Sequence, residues 1–241
     1  MDYLLELGAA MARFAELQGE ATGDEEVPAC PGWTTSELTQ HLGTIHRWAA
    51  GIVLSGQRID VPKPIFGDLL IEWYASTATA LLSALEAVNV DEPVPNFSRI
   101  DERAGFWRRR QMHETTVHRV DAAQALELDE SYWQVAPAIA TDGVDEVLHV
   151  HFPRMTARGK RPDVRSRIRL TATDTQHNWI VGPGSSESSP PLQLHTSYDA
   201  DAAVEGTASD LYLALWHRVP AERLSFNGDE GVALFEGPTT P

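Results

Sequence analysis

The chain has very little cysteine and no long apolar run. It contains 241 residues and a single cysteine, Cys30. One cysteine excludes an internal disulfide framework and any zinc site built from several thiolates, and it suits a reducing cytoplasm. No stretch approaches the roughly 18 apolar residues that a membrane-spanning helix needs, and an N-terminus with Asp2 and Glu6 lacks the pattern of a signal peptide. These absences predict a soluble, cytoplasmic protein.

Basic residues are also scarce. The 19 lysines and arginines face 35 acidic residues, which gives a formal net charge of −16. Because phosphate contacts need a concentrated basic surface, the balance argues against a nucleic-acid-binding protein. The one basic run, Arg108 to Arg110, is expected to lie with its charges in solvent, except that Arg110 falls on the inner side of its helix.

Apolar spacing divides the chain into two halves. The first half shows the 3–4 spacing of helices, whereas the second mixes alternating segments with one capped helix. The main helices are expected at 4–17, 34–55, 66–85 and 102–126, with a shorter one at 137–151. Strands are expected at 164–172, 179–181 and 192–194, a helix at 207–217, and a closing hairpin at 224–235. The pattern predicts an all-α four-helix bundle over residues 1–155, followed by a small α+β domain over 156–241.

His41 is the first candidate ligand. A capping box formed by Thr34 and Glu37 marks the start of its helix. At about 100° per residue, His41 falls within the apolar stripe of this helix, while His46 falls at its margin. His41 is therefore expected to point inward, and His46 is the weaker candidate.

Glu114 and His118 form the second candidate group. They lie four residues apart, so both occupy one face of the helix, and Asp121 shares that face. Burying such groups without partners costs several kcal/mol each, and a shared cation would remove that cost. His113 is less well placed on the helix. A hydrogen-bonded core histidine and an ordinary surface helix pair remain the alternatives to a metal site.

Three motifs together resemble the mycothiol-dependent maleylpyruvate isomerase family, which is part of the DinB-like metalloenzyme superfamily. The first is PGWTTSELTQHLG at 31–43, and the second is HETTVHRVDA at 113–122. The third is EGTASDLYLALWHR at 205–218, followed by NGD at 227–229, which resembles that family's sterol-carrier-like C-terminal domain.

The resemblance implies a DinB-like bundle that holds a divalent metal, most simply zinc, through His41, Glu114 and His118. It also implies mycothiol as a thiol cofactor, and an arginine of the C-terminal domain, for which Arg218 is the nearest match. A metal-bound thiol would lose its proton, add to an activated double bond and leave after rotation, or transfer to another electrophile. Arg218 would hold the substrate carboxylate, and Asp121 would orient a ligand imidazole or Arg119, unless it forms an ordinary salt bridge.

Two other functions remain open on the sequence alone. The same ligands could activate water in a hydrolase, or the protein could bind metal or an apolar ligand without catalysis. Nickel or iron would also fit two histidines and one carboxylate. A small-molecule substrate and a thiol are the expected partners, with no nucleic acid and no membrane. The substrate itself and the oligomeric state are not determined.

Overall fold

The computed structural model describes residues 1–61, 69–98, 100–160, 162–183, 193–194 and 199–241. The chain divides into two compact units, Met1–Gln134 and Val135–Pro241. The first is helical and the second contains a mixed sheet with helices, so the predicted fold class is confirmed. Within the described residues, no helix is long and apolar enough to span a lipid bilayer.

Four long helices form the first unit. They are α1 (Tyr3–Glu20), α2 (Thr35–Ser55), α3 (Leu70–Ala87) and α4 (Ala104–Ala125), followed by the single turn α5 (Glu130–Trp133). The predicted capping box is present at the start of α2, where the Thr34 hydroxyl accepts from the Glu37 amide and the Glu37 carboxylate accepts from the Thr34 amide. Phe66, predicted to lie in the third helix, falls outside the described residues.

Helices α1, α2 and α3 each bury an apolar face within the bundle. Leu7, Phe14 and Leu17 of α1 are completely buried, and each side chain of this size contributes about 1.5–3 kcal/mol on burial. Helices α2 and α3 approach so closely that a Cβ at Gly43 would collide with the ring of Trp73. Helix α2 also contacts α4, and α4 contacts α1.

Helix α4 differs from the others because it buries many polar side chains. The buried polar residues of this helix are Arg110, Gln111, His113, Thr115, Thr116, His118 and Asp121. Buried polar groups need partners, since an unpaired one costs about 1–3 kcal/mol. The polar face of α4 therefore marks the part of the bundle where specific polar contacts must occur.

The second unit is built on a sheet with the strand order β3-β2-β1-β4-β5 among the described residues. The strands are β1 (Ile168–Ala172), β2 (His177–Gly182), β3 (Gln193–Leu194), β4 (Ala202–Gly206) and β5 (Ser225–Asn227). Strands β1 and β4 run parallel, with Leu170 beside Val204, and the other pairs are antiparallel. Residues 184–192, which include most of a predicted loop and the predicted strand residue Leu192, fall outside the described residues.

Helices complete the second unit. They are α6 (Pro137–Glu146), a π-helical turn (Val147–His151), α7 (Phe152–Ala157), α8 (Ala208–Leu215), a 3₁₀ turn (Ala221–Arg223) and α9 (Asp229–Glu236). Helix α6 packs against α8 so closely that a Cβ at Gly143 would collide with Tyr212. This packing places residues 135–155 in the second unit, although the sequence pattern put the domain boundary at 155.

The predicted C-terminal hairpin is wrong. Strand β5 pairs with β4 instead, with Phe226 beside Val204, and the chain turns at Gly228 into α9. Gly231, Leu234 and Phe235 of α9 are buried. Their spacing of three and four residues is helical, and it outweighs the Asn-Gly pair that suggested a turn between strands.

Candidate metal centre

The three predicted ligands lie together in the first unit. His41 is in the second turn of α2, while Glu114 and His118 lie one turn apart on α4. Each offers one ligand atom, and these atoms all lie within 4.8 Å of one another. The i,i+4 spacing on α4 brings two of the three groups together, and the packing of α2 against α4 adds the third.

Two of the three separations between the ligand atoms match those of a tetrahedral metal site. Oε1 of Glu114 is 3.3 Å from Nε2 of His41 and 3.4 Å from Nε2 of His118. Two ligands bound to zinc at about 2.0–2.1 Å and at the tetrahedral angle would be about 3.4 Å apart. Charge-assisted hydrogen bonds are typically about 2.7–2.9 Å long. The donor set and these two separations therefore fit a divalent ion, with all three ligand atoms within 4.8 Å of one another.

The cluster is accessible from one side. The side chains of His41 and Glu114 are 31% and 18% exposed, whereas that of His118 is 10% exposed. An entirely buried site would exclude an added ligand. Among the three candidate ligands, His41 is therefore the nearest to solvent and His118 the farthest from it.

Aromatic contacts orient His41. The Trp33 ring lies with its centroid 4.8 Å from that of His41, and the His118 ring stands edge-on to His41 at 5.0 Å. Trp33 belongs to the turn just before α2, held by a hydrogen bond from its amide to the Cys30 carbonyl. Sequence reasoning used Trp33 only as part of a motif and missed this contact.

Asp121 supports His118 from the opposite side of the ring. Its Oδ2 lies 2.8 Å from Nδ1 of His118 and is completely buried. A carboxylate accepts at this position, so Nδ1 carries a proton, and Nε2, which faces Glu114, is the nitrogen left for a metal ion. The Cys30 thiol also contacts Oδ2, at 3.8 Å. No role was predicted for Cys30.

Arg110 contacts the other oxygen of Glu114. Its Nη2 lies 2.6 Å from Oε2, and its side chain is only 3% exposed. Arg110 is buried, as its place on the inner side of the helix predicts. The expectation of solvated charge is wrong for Arg108, since its Nη2 donates to the carbonyls of Leu85 and Val88. Both arginines find acceptors because α4 is enclosed by its neighbours.

The electrostatics favour charged forms within the cluster. Burial alone would raise the pKa of Glu114, but the Arg110 guanidinium and hydrogen bonds with His118 and His41 hold it well below its usual value. Burial would likewise lower the pKa of His118, but hydrogen bonds to Asp121 and Glu114 raise it to about 9. Nε2 of His118, its ligand atom, therefore lies beside a Glu114 carboxylate that stays ionised.

Two further histidines lie outside the triad. His46 was expected at the margin of its helix, yet it is completely buried, with Nε2 3.1 Å from the Thr115 hydroxyl. Helix α2 packs against both α3 and α4, so its buried surface is wider than one apolar stripe. Burial lowers the pKa of His46 to about 3. His113 is buried too, and the group of possible ligands among the described residues does not include it.

Arg218 belongs to the second unit, where it follows α8. Its Nη1 donates to the Trp216 carbonyl at 2.7 Å, and its guanidinium lies 5.7 Å from the centroid of the Trp216 ring. Its role toward substrate stays a prediction, as does that of Asp121 beyond the contact described.

Comparisons with known proteins point to one family. The model of the mycothiol maleylpyruvate isomerase N-terminal domain matches residues 4–123, and that of the corresponding C-terminal domain matches residues 138–235. No curated protein matches the chain significantly.

Two crystal structures share the fold. One is the mycothiol-dependent maleylpyruvate isomerase, with a TM-score of 0.61, and the other is a histidine-to-alanine mutant of that isomerase, with a TM-score of 0.65. Each is 11% identical in sequence, and the match covers 93% of this chain and 91% of the other. At this identity the likeness establishes the fold, while the two domain models, in the expected order, span nearly the whole chain. The chain belongs to the mycothiol-dependent maleylpyruvate isomerase family.

Proposed function

We propose that this protein is a metal-dependent enzyme that uses mycothiol either to isomerise a small electrophilic substrate or to transfer the thiol to that substrate. His41, Glu114 and His118 would hold the ion, with zinc preferred for two imidazoles and one carboxylate. The observation that carries the proposal is the convergence of their three ligand atoms within 4.8 Å, in a chain whose family is one of mycothiol-dependent enzymes.

The residues around the triad have distinct tasks in this proposal. A divalent ion at this position would supply the positive charge that favours the thiolate form of a bound thiol. Asp121 fixes the tautomer and orientation of His118, through the 2.8 Å contact to Nδ1. Trp33 fixes the plane of the His41 ring. The partly exposed faces of His41 and Glu114 admit the thiol and the substrate.

Arg218 is the proposed anion-binding residue. A guanidinium can form two parallel hydrogen bonds with a carboxylate, and it stabilises negative charge that develops on the substrate. Maleylpyruvate, the substrate named for the relatives, carries carboxylates. The single cysteine of the chain suits a reducing compartment, and the cytoplasm is the proposed location.

The test combines activity with metal dependence. Purified protein should isomerise maleylpyruvate, or consume mycothiol with a panel of electrophiles, and a chelator should abolish the reaction. His41→Ala should eliminate turnover, whereas His46→Leu, which changes a buried histidine of the same helix, should retain it if the variant melts cooperatively. Arg218→Ala should mainly raise the KM for a carboxylate substrate. Turnover that persists without thiol would favour a hydrolase, and activity insensitive to chelation and to His41→Ala would overturn the proposal.

A further inference from the structure

We propose that Arg110 is a positioning residue that holds Glu114 as a one-oxygen ligand and so keeps a coordination position open. The inference rests on the proposed function, because it concerns how the same triad would bind its ion.

The two oxygens of Glu114 have different partners. Oε1 faces both histidines, at 3.3 Å and 3.4 Å from their Nε2 atoms. Oε2 faces away from them toward Arg110, whose Nη2 is 2.6 Å distant. A carboxylate can bind a metal through one oxygen or through both. With Oε2 engaged by a guanidinium, only Oε1 is directed at the position between the three ligand atoms.

Helix stability does not account for this arginine. The pair runs from Arg110 to Glu114, which is the less favourable order for an i,i+4 ion pair, and surface pairs of this kind contribute only about 0.2–0.5 kcal/mol. The Arg110 side chain is 3% exposed, so the guanidinium is removed from water at considerable cost. Arg108, two residues earlier, also needs acceptors for its guanidinium, and it donates to backbone carbonyls. Arg110 instead uses the carboxylate of a candidate ligand.

The arrangement has two consequences for added ligands. A one-oxygen carboxylate leaves room at the ion for an external group, which a two-oxygen carboxylate would reduce. The guanidinium also offsets the charge of Glu114, so the positive charge of the ion is less neutralised by the protein. Both effects favour an anionic ligand such as a thiolate over a neutral one.

The test uses the full-length protein loaded with cobalt(II), whose visible absorption weakens as the coordination number rises. We expect Arg110→Met to lower this absorption, because Glu114 can then bind through both oxygens. Binding of 2-mercaptoethanol, followed by its sulfur-to-cobalt band, should weaken about tenfold or more, as is usual when a residue that orients a ligand is changed. Arg110→Lys keeps the charge but offers a single donor group. Its cobalt absorption and thiol affinity should lie between those of the wild type and Arg110→Met.

Arg108→Met is the matched control, since it removes a partly buried arginine of the same helix that contacts only the backbone in the hydrogen bonds described above. It should lower the melting temperature and leave the cobalt spectrum and the thiol affinity unchanged. A wild-type spectrum and thiol affinity in Arg110→Met would overturn the inference. If that variant fails to fold, the same result in Arg110→Lys would overturn it. A wild-type protein that binds no cobalt would overturn the proposed function and this inference together, whereas unaltered Arg110 variants of a cobalt-binding protein would overturn the inference alone.

Discussion

Two neighbouring regions of the helical bundle each contain a buried histidine, but their chemistry is opposite. In the triad region (His41, Glu114, His118 and Asp121), two carboxylates raise the pKa of His118 to about 9. In the His46 region (His46, Thr115 and Tyr74), burial lowers the pKa of His46 to about 3, and the charges of the triad act on it less and in opposing directions. The partners of a buried histidine, and not its burial alone, therefore determine whether it lies in a polar site or in an uncharged core.

The same comparison explains why only one region can hold a cation. The triad region supplies a carboxylate oxygen within 3.4 Å of two imidazole nitrogens. The His46 region supplies a hydroxyl at 3.1 Å and an aromatic ring whose centroid lies 5.6 Å from that of the imidazole. A neutral imidazole and one hydroxyl compensate little of the charge of a divalent ion. Substitutions that change the partners of His118 or His46 should therefore make the two regions more alike or more distinct.

The largest expected effect is the pH dependence of the metal-free protein through His118. Its pKa in the folded state, about 9, exceeds the ordinary 6.5. The proton stabilises the fold fully below pH 6.5, and this stabilisation, on the order of 3 kcal/mol, is lost as the pH rises through 9. Urea unfolding with a chelator at pH 6 and pH 9.5 measures it. A His118→Gln variant should lose this pH dependence of stability. An equal pH dependence in the wild type and the variant would mean that His118 does not cause it, and the contrast with His46 would disappear.

Asp121→Asn should bring the triad region closer to the His46 region. The amide preserves the shape but removes the charge 2.8 Å from Nδ1 of His118. We expect the metal affinity to fall about 10- to 100-fold, measured by competition with a chromogenic chelator. Asp145→Asn, a partly exposed carboxylate beside His149, is the control and should leave the affinity unchanged. An unaltered affinity in Asp121→Asn would show that the buried carboxylate does not support the ligand.

The His46 region should respond to acid in the opposite direction. The folded-state pKa of His46, about 3, lies below the ordinary 6.5, so the unfolded chain takes up the proton first. The stability of the metal-free protein should therefore fall as the pH drops below 6.5, by about 2 kcal/mol at pH 5. His46→Leu should remove this share of the acid sensitivity in urea titrations at pH 7 and pH 5. An unchanged acid sensitivity in the variant would mean that His46 is not held neutral by burial.

The smallest expected effect concerns the ring that covers His41. Trp33→Leu removes an aromatic contact worth about 0.5–1.5 kcal/mol. The metal affinity should fall by less than about tenfold, in the same chelator competition. Trp48→Leu, which removes a tryptophan of the same helix as His41 that contacts Trp107 instead, should leave the affinity unchanged. A loss as large as that of Asp121→Asn would assign Trp33 a greater part in the site.

Local patterns predicted the helical bundle well because capping and apolar spacing act within one element. The Thr34–Glu37 capping box and the i,i+4 relation of Glu114 to His118 need no knowledge of the partner helix. The burial of His46 could not be read in this way, because it depends on α3 and α4 enclosing α2 from two sides. Arg110 carried a visible signal, its position four residues before Glu114, but the division of the two carboxylate oxygens requires the side-chain conformations.

The second unit was harder to predict from local signals. The Asn227-Gly228 pair favours a hairpin, yet Phe226 pairs with Val204, and the buried residues after Gly228 have helical spacing. The place of α6 likewise depends on a close contact between Gly143 and Tyr212, which are far apart in sequence. Contacts of this kind are properties of the assembled unit.

The most direct test of the central claim is the metal content of three proteins purified in parallel, measured by plasma mass spectrometry. We predict about one divalent ion per chain in the wild type and in His46→Leu, and essentially none in Glu114→Ala/His118→Ala. A metal-free wild type that takes up no ion on reconstitution, or a double variant that retains the ion, would contradict the assignment of His41, Glu114 and His118 as the metal site.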